Sequence, residues 1–461
     1  MATVGDVTLP VTFVDPKVAP GEVFTYVDIG SIDNRSNRIV DPKSLRGRDA
    51  PSRARQLLQT GDTVFSTVRT YLRNIAFVDA SLSGSIGSTG FSVLRPADGV
   101  NPRLLHYYAR TNAFVDGLSA QMRGTSYPAV VDSQVRAMAI PVPPSAEQER
   151  IVGAIEDQFS RLDAGAAALE RVGRNIKRLR AAVLEAAVTG LLLNDARVTE
   201  KWGASAFGAP TGELPAHWRW AELGDLIVEG PQNGLYLPAS QYGRGTAILR
   251  IADFQDGWAQ RRDALQLVAA SAADVITFEL EVGDIVINRV NSMTHLGKCL
   301  VVTPSLAGAV FESNMMRLRT SDELTGKYLA LYLQSNRGRS QLLKNAKQAV
   351  NQASINQNDV RRCRIAVPPL HEQKAIISIH ETVSADLSSV AAVVRLTGDR
   401  ASSLRSTILA AAFSGELVLQ DPKDEPASVL LERVVSERAS SNGHKTAGGR
   451  KSGTRLTKVL A

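Results

Sequence analysis

The sequence predicts an α+β protein: two globular α/β domains joined by two long antiparallel helices that form a coiled-coil spacer, with a pseudo-two-fold internal repeat. Three observations carry this expectation. Residues 140–192 (IPVPPSAEQERIVGAIEDQF…LRAAVLEAAVTGLL) align without a gap on residues 365–417 (IAVPPLHEQKAIISIHETVS…LRSTILAAAFSGEL), with about a third of the positions identical, which chance does not give over such a span. Pro143-Pro144 matches Pro368-Pro369, Glu147-Gln148 matches Glu372-Gln373, Leu179-Arg180 matches Leu404-Arg405 and Gly190 matches Gly415. Each copy also carries one long apolar stripe. The blocks ahead of the two copies differ in side chains yet keep the same landmarks in the same order.

The elements divide the chain as follows: a first domain at 1–138, a first helical segment at 139–193, a linker at 194–220, a second domain at 221–363, a second helical segment at 364–417, a short helix at 418–438 and a disordered basic tail at 439–461. In the first domain TYVDIG (25–30), TVFST (63–67) and FSVLR (91–95) read as strands, Gly61-Asp62 as a turn, and residues 102–118 as a helix opening on Pro102. GSIGSTG (84–90) lacks the lysine of a phosphate-binding loop and reads as a turn at a strand edge. In the second domain AILRIA (247–252) answers TYVDIG, VGDIVINRV (282–290) answers TGDTVFSTV (60–68), NMMRLR (314–319) answers GFSVLR (90–95), and KYLALYLQS (327–335) answers RLLHYYART (103–111).

In the first helical copy Ile151, Ile155, Phe159, Leu162, Ala166, Leu169, Val172, Ile176, Leu179, Val183 and Ala187 fall at alternating steps of three and four, which makes one stripe on a helix of about 70 Å. Pro143-Pro144 blocks helix upstream, Ser145 is placed to cap the helix, Gln148 stands where a capping box needs it, and Glu147 complements the dipole. Leu370 replaces Ser145 in the second copy, so a different cap is expected there. Gly190 and Gly415 suit left-handed caps. The second copy is thinner, interrupted by Ser384, Thr397 and Ala401 and weakened by Gly398. A one-sided stripe is unstable alone, so the two helices are expected to pack on each other, antiparallel.

The chain has 461 residues, 44% hydrophobic, and a formal charge of +7. Arg438, Lys445, Arg450, Lys451, Arg455 and Lys458 carry about six of those charges in a stretch without acids, so the rest is near neutral and any nucleic-acid argument must be local. No apolar run reaches spanning length and no basic-then-apolar leader opens the sequence; no membrane association is expected. Two cysteines, Cys299 and Cys363, without metal-type spacing fit a reducing cytoplasm. An N-P-P-Y/F or D-P-P-Y/F run, a phosphate loop and an H-E-x-x-H are all absent, and the histidines form no cluster. A non-catalytic protein that recognises or scaffolds is expected, with no cofactor or metal of its own.

The repeated P-P-x-x-E-Q opening a long helix, A-F-S-G-E-L at 412–417, D-P-K-D-E-P-A-S-V-L-L-E-R at 421–433 and L-P-x-x-W-x-W-x-x-L-G-D at 214–225 together resemble the DNA-specificity (S) subunit of Type I restriction-modification systems. The first block departs from that pattern by beginning almost at its Gly-Asp, with no W-x-W before it. The resemblance implies two target-recognition domains, each reading half of a bipartite asymmetric site in double-stranded DNA, on a helical spacer. It implies two methyltransferase subunits and motor-nuclease subunits as partners, with S-adenosylmethionine, ATP and Mg held by those partners.

Local chemistry supplies the DNA-contact candidates. Arg46, Arg48, Arg53 and Arg55 share one loop, and arginine suits both phosphate clamping and bidentate reading of guanine. Arg69 and Arg73 follow the strand after Gly61-Asp62; Arg289, Asn291 and Lys298 occupy the matching segment. Arg123 and Tyr127 lie in the loop before the first helical segment, where the second block has Asn351 and Gln352. Arg337, Arg339, Lys344 and Lys347 add a basic stretch. Two other readings stay open: a protein-binding scaffold or adapter, and the specificity part of a different class of restriction-modification enzyme. The DNA sequence read, the spacer length and the role of the tail are not encoded in any recognisable motif.

Overall fold

The structure is a computed structural model that describes residues 2–124, 126–194, 214–255, 257–349 and 352–446. It resolves into two compact units, residues 1–167 with 397–461, and residues 168–396, so the division falls inside the two long helices. Most of the predicted linker and the tail beyond residue 446 lie outside the described residues.

The first unit holds two four-stranded sheets. One runs Lys43–Arg46, Val23–Val27, Ile86–Ser88, Ala54–Leu57; the other runs Thr8–Leu9, Phe91–Pro96, Thr63–Ser66, Ile75–Phe77. Ile86–Ser88 corrects the expectation of a turn over residues 84–90. Ile86 pairs in parallel with Tyr26 and Gly87 with Val27, and the strand's other edge pairs antiparallel with Ala54–Leu57. A small-residue strand fits there because the Leu58 side chain lies against Gly87, where a Cβ would meet it at 3.0 Å.

The predicted helix over 102–118 is two helices, Pro102–Ala109 and Asn112–Ser119. Thr111 is extended and its Oγ1 accepts the Phe114 amide at 3.2 Å, so a new N-cap interrupts the run of helix-forming residues. The second unit breaks at the matching place: Gly326–Gln334 ends, and Ser335 caps Asn336–Leu342 by accepting the Gly338 amide at 3.0 Å. Its sheets run Ile227–Asn233, Met315–Thr320, Ile285–Asn288, Cys299–Val301 and Gln266–Val268, Tyr242–Leu249, Val310–Phe311.

The turn at Gly61-Asp62 recurs as Gly283-Asp284, both glycines left-handed. In each, the aspartate closes the turn by accepting an amide 2.8 Å away, from Gln59 and Glu281 respectively. It then clamps the arginine at the end of the neighbouring strand. Asp62 takes Arg95 Nε at 2.9 Å and Nη2 at 2.7 Å, and Asp284 takes Arg319 Nε at 2.5 Å and Nη2 at 3.3 Å. Both aspartates are buried, and such fork-shaped pairing is what keeps a buried carboxylate tolerable.

The long helices span Ser145–Thr189 and Leu370–Ser414. In the first unit Ile151, Ile155 and Phe159 of one pack on Ile408, Leu409 and Ala412 of the other, and Asp163 pairs with Arg405. In the second unit Ile176 and Val183 pack on Val383 and Leu387, and Arg180 donates to Ser388 at 3.1 Å. In each unit the numbering rises along one helix as it falls along the other, so the packing is antiparallel. Each fully buried aliphatic side chain stabilises this packing by about 1.5–3 kcal/mol.

The starts of the two helices differ from the expected capping box. The first helical bond runs from the Gln148 amide to the Pro144 carbonyl at 2.9 Å, and from Gln373 to Pro369 at 3.0 Å. Both helices are therefore capped at the second proline, and the exchange of Ser145 for Leu370 changes nothing there. The glutamine side chains serve another purpose. Gln148 Oε1 accepts the Asn101 amide at 2.7 Å while its Nε2 donates to Pro143 at 3.0 Å. Gln373 Oε1 accepts the Thr325 amide at 2.8 Å while its Nε2 donates to Pro368 at 2.9 Å and Glu323 at 2.8 Å. Asn101 and Thr325 are the N-caps of the two domain helices, so each glutamine ties a long helix to its domain. Gly190 and Gly415 are left-handed with φ of 81° and 82°.

The C-terminal helix runs Ala427–Thr446 rather than ending at residue 438. Leu430 and Val434 are buried with Val4, Val100 and Leu105, which makes this helix part of the first unit's core.

Candidate nucleic-acid interface

In the first unit four segments are laced together by backbone hydrogen bonds along one rim. The Thr67 amide donates to Gly90, the Val130 amide to Thr67, the Arg69 amide to Pro128 and the Thr89 amide to Arg53. Arg123 bridges Ala129, which also bridges Val68. The rim thus gathers Arg53, Arg69, Arg123 and Tyr127. Arg53 and Arg123 are exposed and make no ion pair with any described residue, and Tyr127 is 74% exposed with the Arg69 guanidinium 5.3 Å from its ring centre.

The second unit repeats the lacing with different side chains. The Arg289 amide donates to Asn314 and the Ile355 amide to Arg289, at the positions of Thr67–Gly90 and Val130–Thr67. Val290–Asn291 pairs with Gln352–Ser354, which pairs in turn with Lys347–Ala349. Lys347, Gln348 and Gln352 of this hairpin are exposed, and Lys298 reaches Gln255 at 2.7 Å. Asn351 lies outside the described residues. An exposed strand pair with lysine and amide side chains has the chemistry for phosphate and base-edge contacts.

Several predicted contact residues are engaged within the protein. Arg55 pairs with Asp15 at 2.5 Å and donates to Ser52. Arg73 donates to the Arg110 carbonyl at 3.1 Å and to Asn112 at 2.8 Å, which holds the break between the two domain helices. Arg289 donates to the Ser313 carbonyl at 3.0 Å and Arg339 to Leu296 at 3.0 Å. Short loops with left-handed or bulged backbone leave carbonyls unsatisfied, and a nearby guanidinium with five donors meets them. The four arginines do not share one loop: Arg46 ends the strand Lys43–Arg46 and Arg55 lies in Ala54–Leu57, while residues 47 and 48 between them bond to Glu22 and Pro20, and Arg48 pairs with Asp49 at 3.6 Å. Arg337 is half-buried and its amide donates to Glu185; Lys344 is exposed.

Sequence reasoning missed the turn between Arg69 and Arg73. Both arginines are left-handed (φ 49° and 55°), and they flank a single 3₁₀ turn, Thr70–Leu72, that presents Tyr71 and Leu72 at 51% and 41% exposure. Non-glycine residues in that region are strained by about 1–2 kcal/mol each and collect at functional sites. An arginine at each end of one turn was the only available signal. Among the described residues there is no group of metal-ligating side chains and no helix long and apolar enough to cross a membrane. His106 is buried, and that burial, reinforced by Arg110 and Arg103, holds its imidazole well below the usual range. It is a neutral core residue. Burial pushes the Cys363 thiol up to about 12, and Cys299 is also buried, its thiol donating to the Ala330 carbonyl at 3.6 Å.

Comparison with known proteins bears on these surfaces. Residues 276–390 match the family described as the Type I restriction modification DNA specificity domain. The chain is 29% identical over 364 residues to the StySPI specificity subunit of Salmonella potsdam, covering 77% of this chain and 75% of that one. It is 26% identical to the EcoKI specificity subunit of Escherichia coli K12 over the same shares. Among solved structures, the HsdS subunit of Thermoanaerobacter tengcongensis is 30% identical with a TM-score of 0.52, covering 90% of this chain and 96% of that one. A chain from a study of complex assembly and conformational transition in the type I R-M system is 31% identical with a TM-score of 0.66, covering 90% and 97%.

Proposed function

Because the chain belongs to the DNA-specificity subunits of Type I restriction-modification systems, we propose that each of its two units reads one half of a split, asymmetric DNA site. The DNA-specificity role comes with the family; the assignment of one half-site to each unit rests on a single observation. The two rims share their backbone hydrogen bonds but not their side chains: Thr67 and Gly90 in one stand where Arg289 and Asn314 stand in the other. Two domains with one scaffold and two surfaces read two different sequences. The antiparallel long helices act as the spacer, fixing the separation of the half-sites by their length at about one turn of DNA. Arg53, Arg69, Arg123 and Tyr127 contact DNA from the first unit; Asn291, Lys298, Lys347, Asn351 and Gln352 do so from the second.

The subunit is non-catalytic. It docks two methyltransferase subunits along its helices, and motor-nuclease subunits complete the complex, with S-adenosylmethionine, ATP and Mg bound by those partners. The test is single-molecule sequencing of genomic DNA from cells with intact partner genes. A bipartite methylated motif that disappears when this gene is deleted supports the reading. A contiguous motif, or no change on deletion, sinks it.

A further inference from the structure

In both units the chain leaves the rim through the same turn. Counting from the shared backbone bonds of Thr67 and Arg289, Val68 answers Val290, and Val68 bridges Ala129 as Val290 pairs with Ser354. Arg69, Thr70, Tyr71 and Leu72 then answer Asn291, Ser292, Met293 and Thr294. Along this stretch a cation becomes an amide and a leucine becomes a threonine. Tyr71 and Met293 alone keep a large, largely apolar side chain in the open, at 51% and 41% exposure.

Both turns are held from below. Thr70 is buried with its Oγ1 2.8 Å from Ser119 Oγ, and Asn34 donates to the Leu72 carbonyl at 2.9 Å. The His295 and Leu296 amides both donate to the Ser292 carbonyl at 2.9 Å, and Leu296 is buried. Each tip therefore stands on fixed backbone. One exposed apolar residue needs no explanation; the same position exposed in two units whose neighbouring side chains differ does. The rims around them are cationic, with Arg53 and Arg123 in the first unit and Lys298 and Lys347 in the second.

A DNA groove presents hydrogen-bonding groups at every base edge and one apolar group, the thymine C5-methyl in the major groove. A tyrosine ring or a methionine set against a polar edge strips water from donors and acceptors without replacing it, so an apolar tip favours the methyl. Entry between base pairs costs unstacking, and much of each side chain is covered by its own unit, which leaves an end to touch a methyl rather than a length to enter the stack. We infer that Tyr71 and Met293 are equivalent specificity-determining positions, each placed against the C5-methyl of a thymine in its own half-site. The inference rests on the split-site reading above and adds to it the residue and the base.

The full-length protein is assembled with its methyltransferase partners, and the methylated motif it directs is read by sequencing. Duplexes carrying that motif then have each thymine replaced singly by deoxyuridine, which removes the C5-methyl and nothing else. One replacement in one half-site is expected to weaken binding about fourfold, the worth of one buried methyl. Tyr71→Ala should erase that loss, and Tyr71→Phe, which keeps the ring, should retain it. Met293→Ala should erase the corresponding loss in the other half-site and leave the first intact. The inference is overturned if no replacement weakens binding, if the losses survive both alanine variants, or if both variants act on the same half-site. It is also overturned if Tyr71→Ala instead removes a rise in 2-aminopurine fluorescence that reports an opened base step. Any of these results with a split motif refutes the thymine contact alone; a contiguous motif refutes the split-site reading beneath it as well.

Discussion

The two units solve one structural problem with unequal redundancy. In the first, Arg95 has a single acidic partner, Asp62, and one carbonyl, Leu57. In the second, Arg319 meets Asp284, Glu229 and Glu281, and Arg317 also pairs with Glu229. In the first, Gln148 holds one amide of the domain helix; in the second, Gln373 holds the Thr325 amide and hydroxyl together with the Glu323 carbonyl. The contact that closes the turn recurs in both units while the network that supports it differs. The contact, not the network, marks what the fold requires.

This contrast can be broken most forcefully at the turn. Asp62→Ala leaves a buried guanidinium unpaired and should destabilise the first unit by about 3–5 kcal/mol. Asp284→Ala should cost less, because Glu229 and Glu281 remain on Arg319. Hydrogen exchange in strands Thr63–Ser66 and Ile285–Asn288 reports each unit separately, and equal losses would contradict the stated redundancy. The glutamine clamps come next. Gln373→Ala should cost about 1–3 kcal/mol, since it strands buried backbone groups, and Gln148→Ala less; the exchange rates of the two domain helices measure both.

Acid sharpens the comparison further. His106 has Ala330 as its counterpart, so only the first unit buries a histidine on this helix. Its imidazole stays neutral in the fold but takes a proton when unfolded. Stability is therefore full above the unfolded pKa of about 6.5 and falls by about 1.4 kcal/mol for each pH unit below it, until the folded pKa is reached. Melting between pH 7 and 5 should lower the first unit's transition ahead of the second's, and His106→Leu should flatten that slope. The smallest effect is electrostatic. Arg123→Ala should reduce the slope of log affinity against log salt by about 1, in a titration of specific DNA with the assembled complex.

Much of this architecture was legible in the sequence because it was written twice. The landmark pairs Gly61-Asp62 with Gly283-Asp284, and Gln148 with Gln373, stand out against divergent neighbours, and each proved to be a geometric anchor. The role of the glutamine was not legible. Three residues after Ser145, Gln148 has the spacing of a capping box, and only the tertiary fold brings Asn101 to it and Thr325 to Gln373. The break at Thr111 was hidden for a related reason: the apolar spacing continues through it, and one side-chain cap overrides the pattern. Arginines were the hardest to read. Arg55, Arg73 and Arg289 have the composition of a DNA-contacting loop, yet each is bound to a carboxylate or carbonyl that a linear sequence does not display. The stretch around Gln352 and the Arg123–Tyr127 loop were singled out by position, as the stretches that differ between the two blocks just before the repeated helix.

The central claim is that each rim governs one half of the site. It is tested most directly by sequencing the methylation pattern of a reconstituted complex in which residues 123–129 are exchanged for those of a relative with a different site. One half of the methylated motif should change while the other half and the spacing stay fixed. A change in both halves, or in the spacing alone, would contradict it.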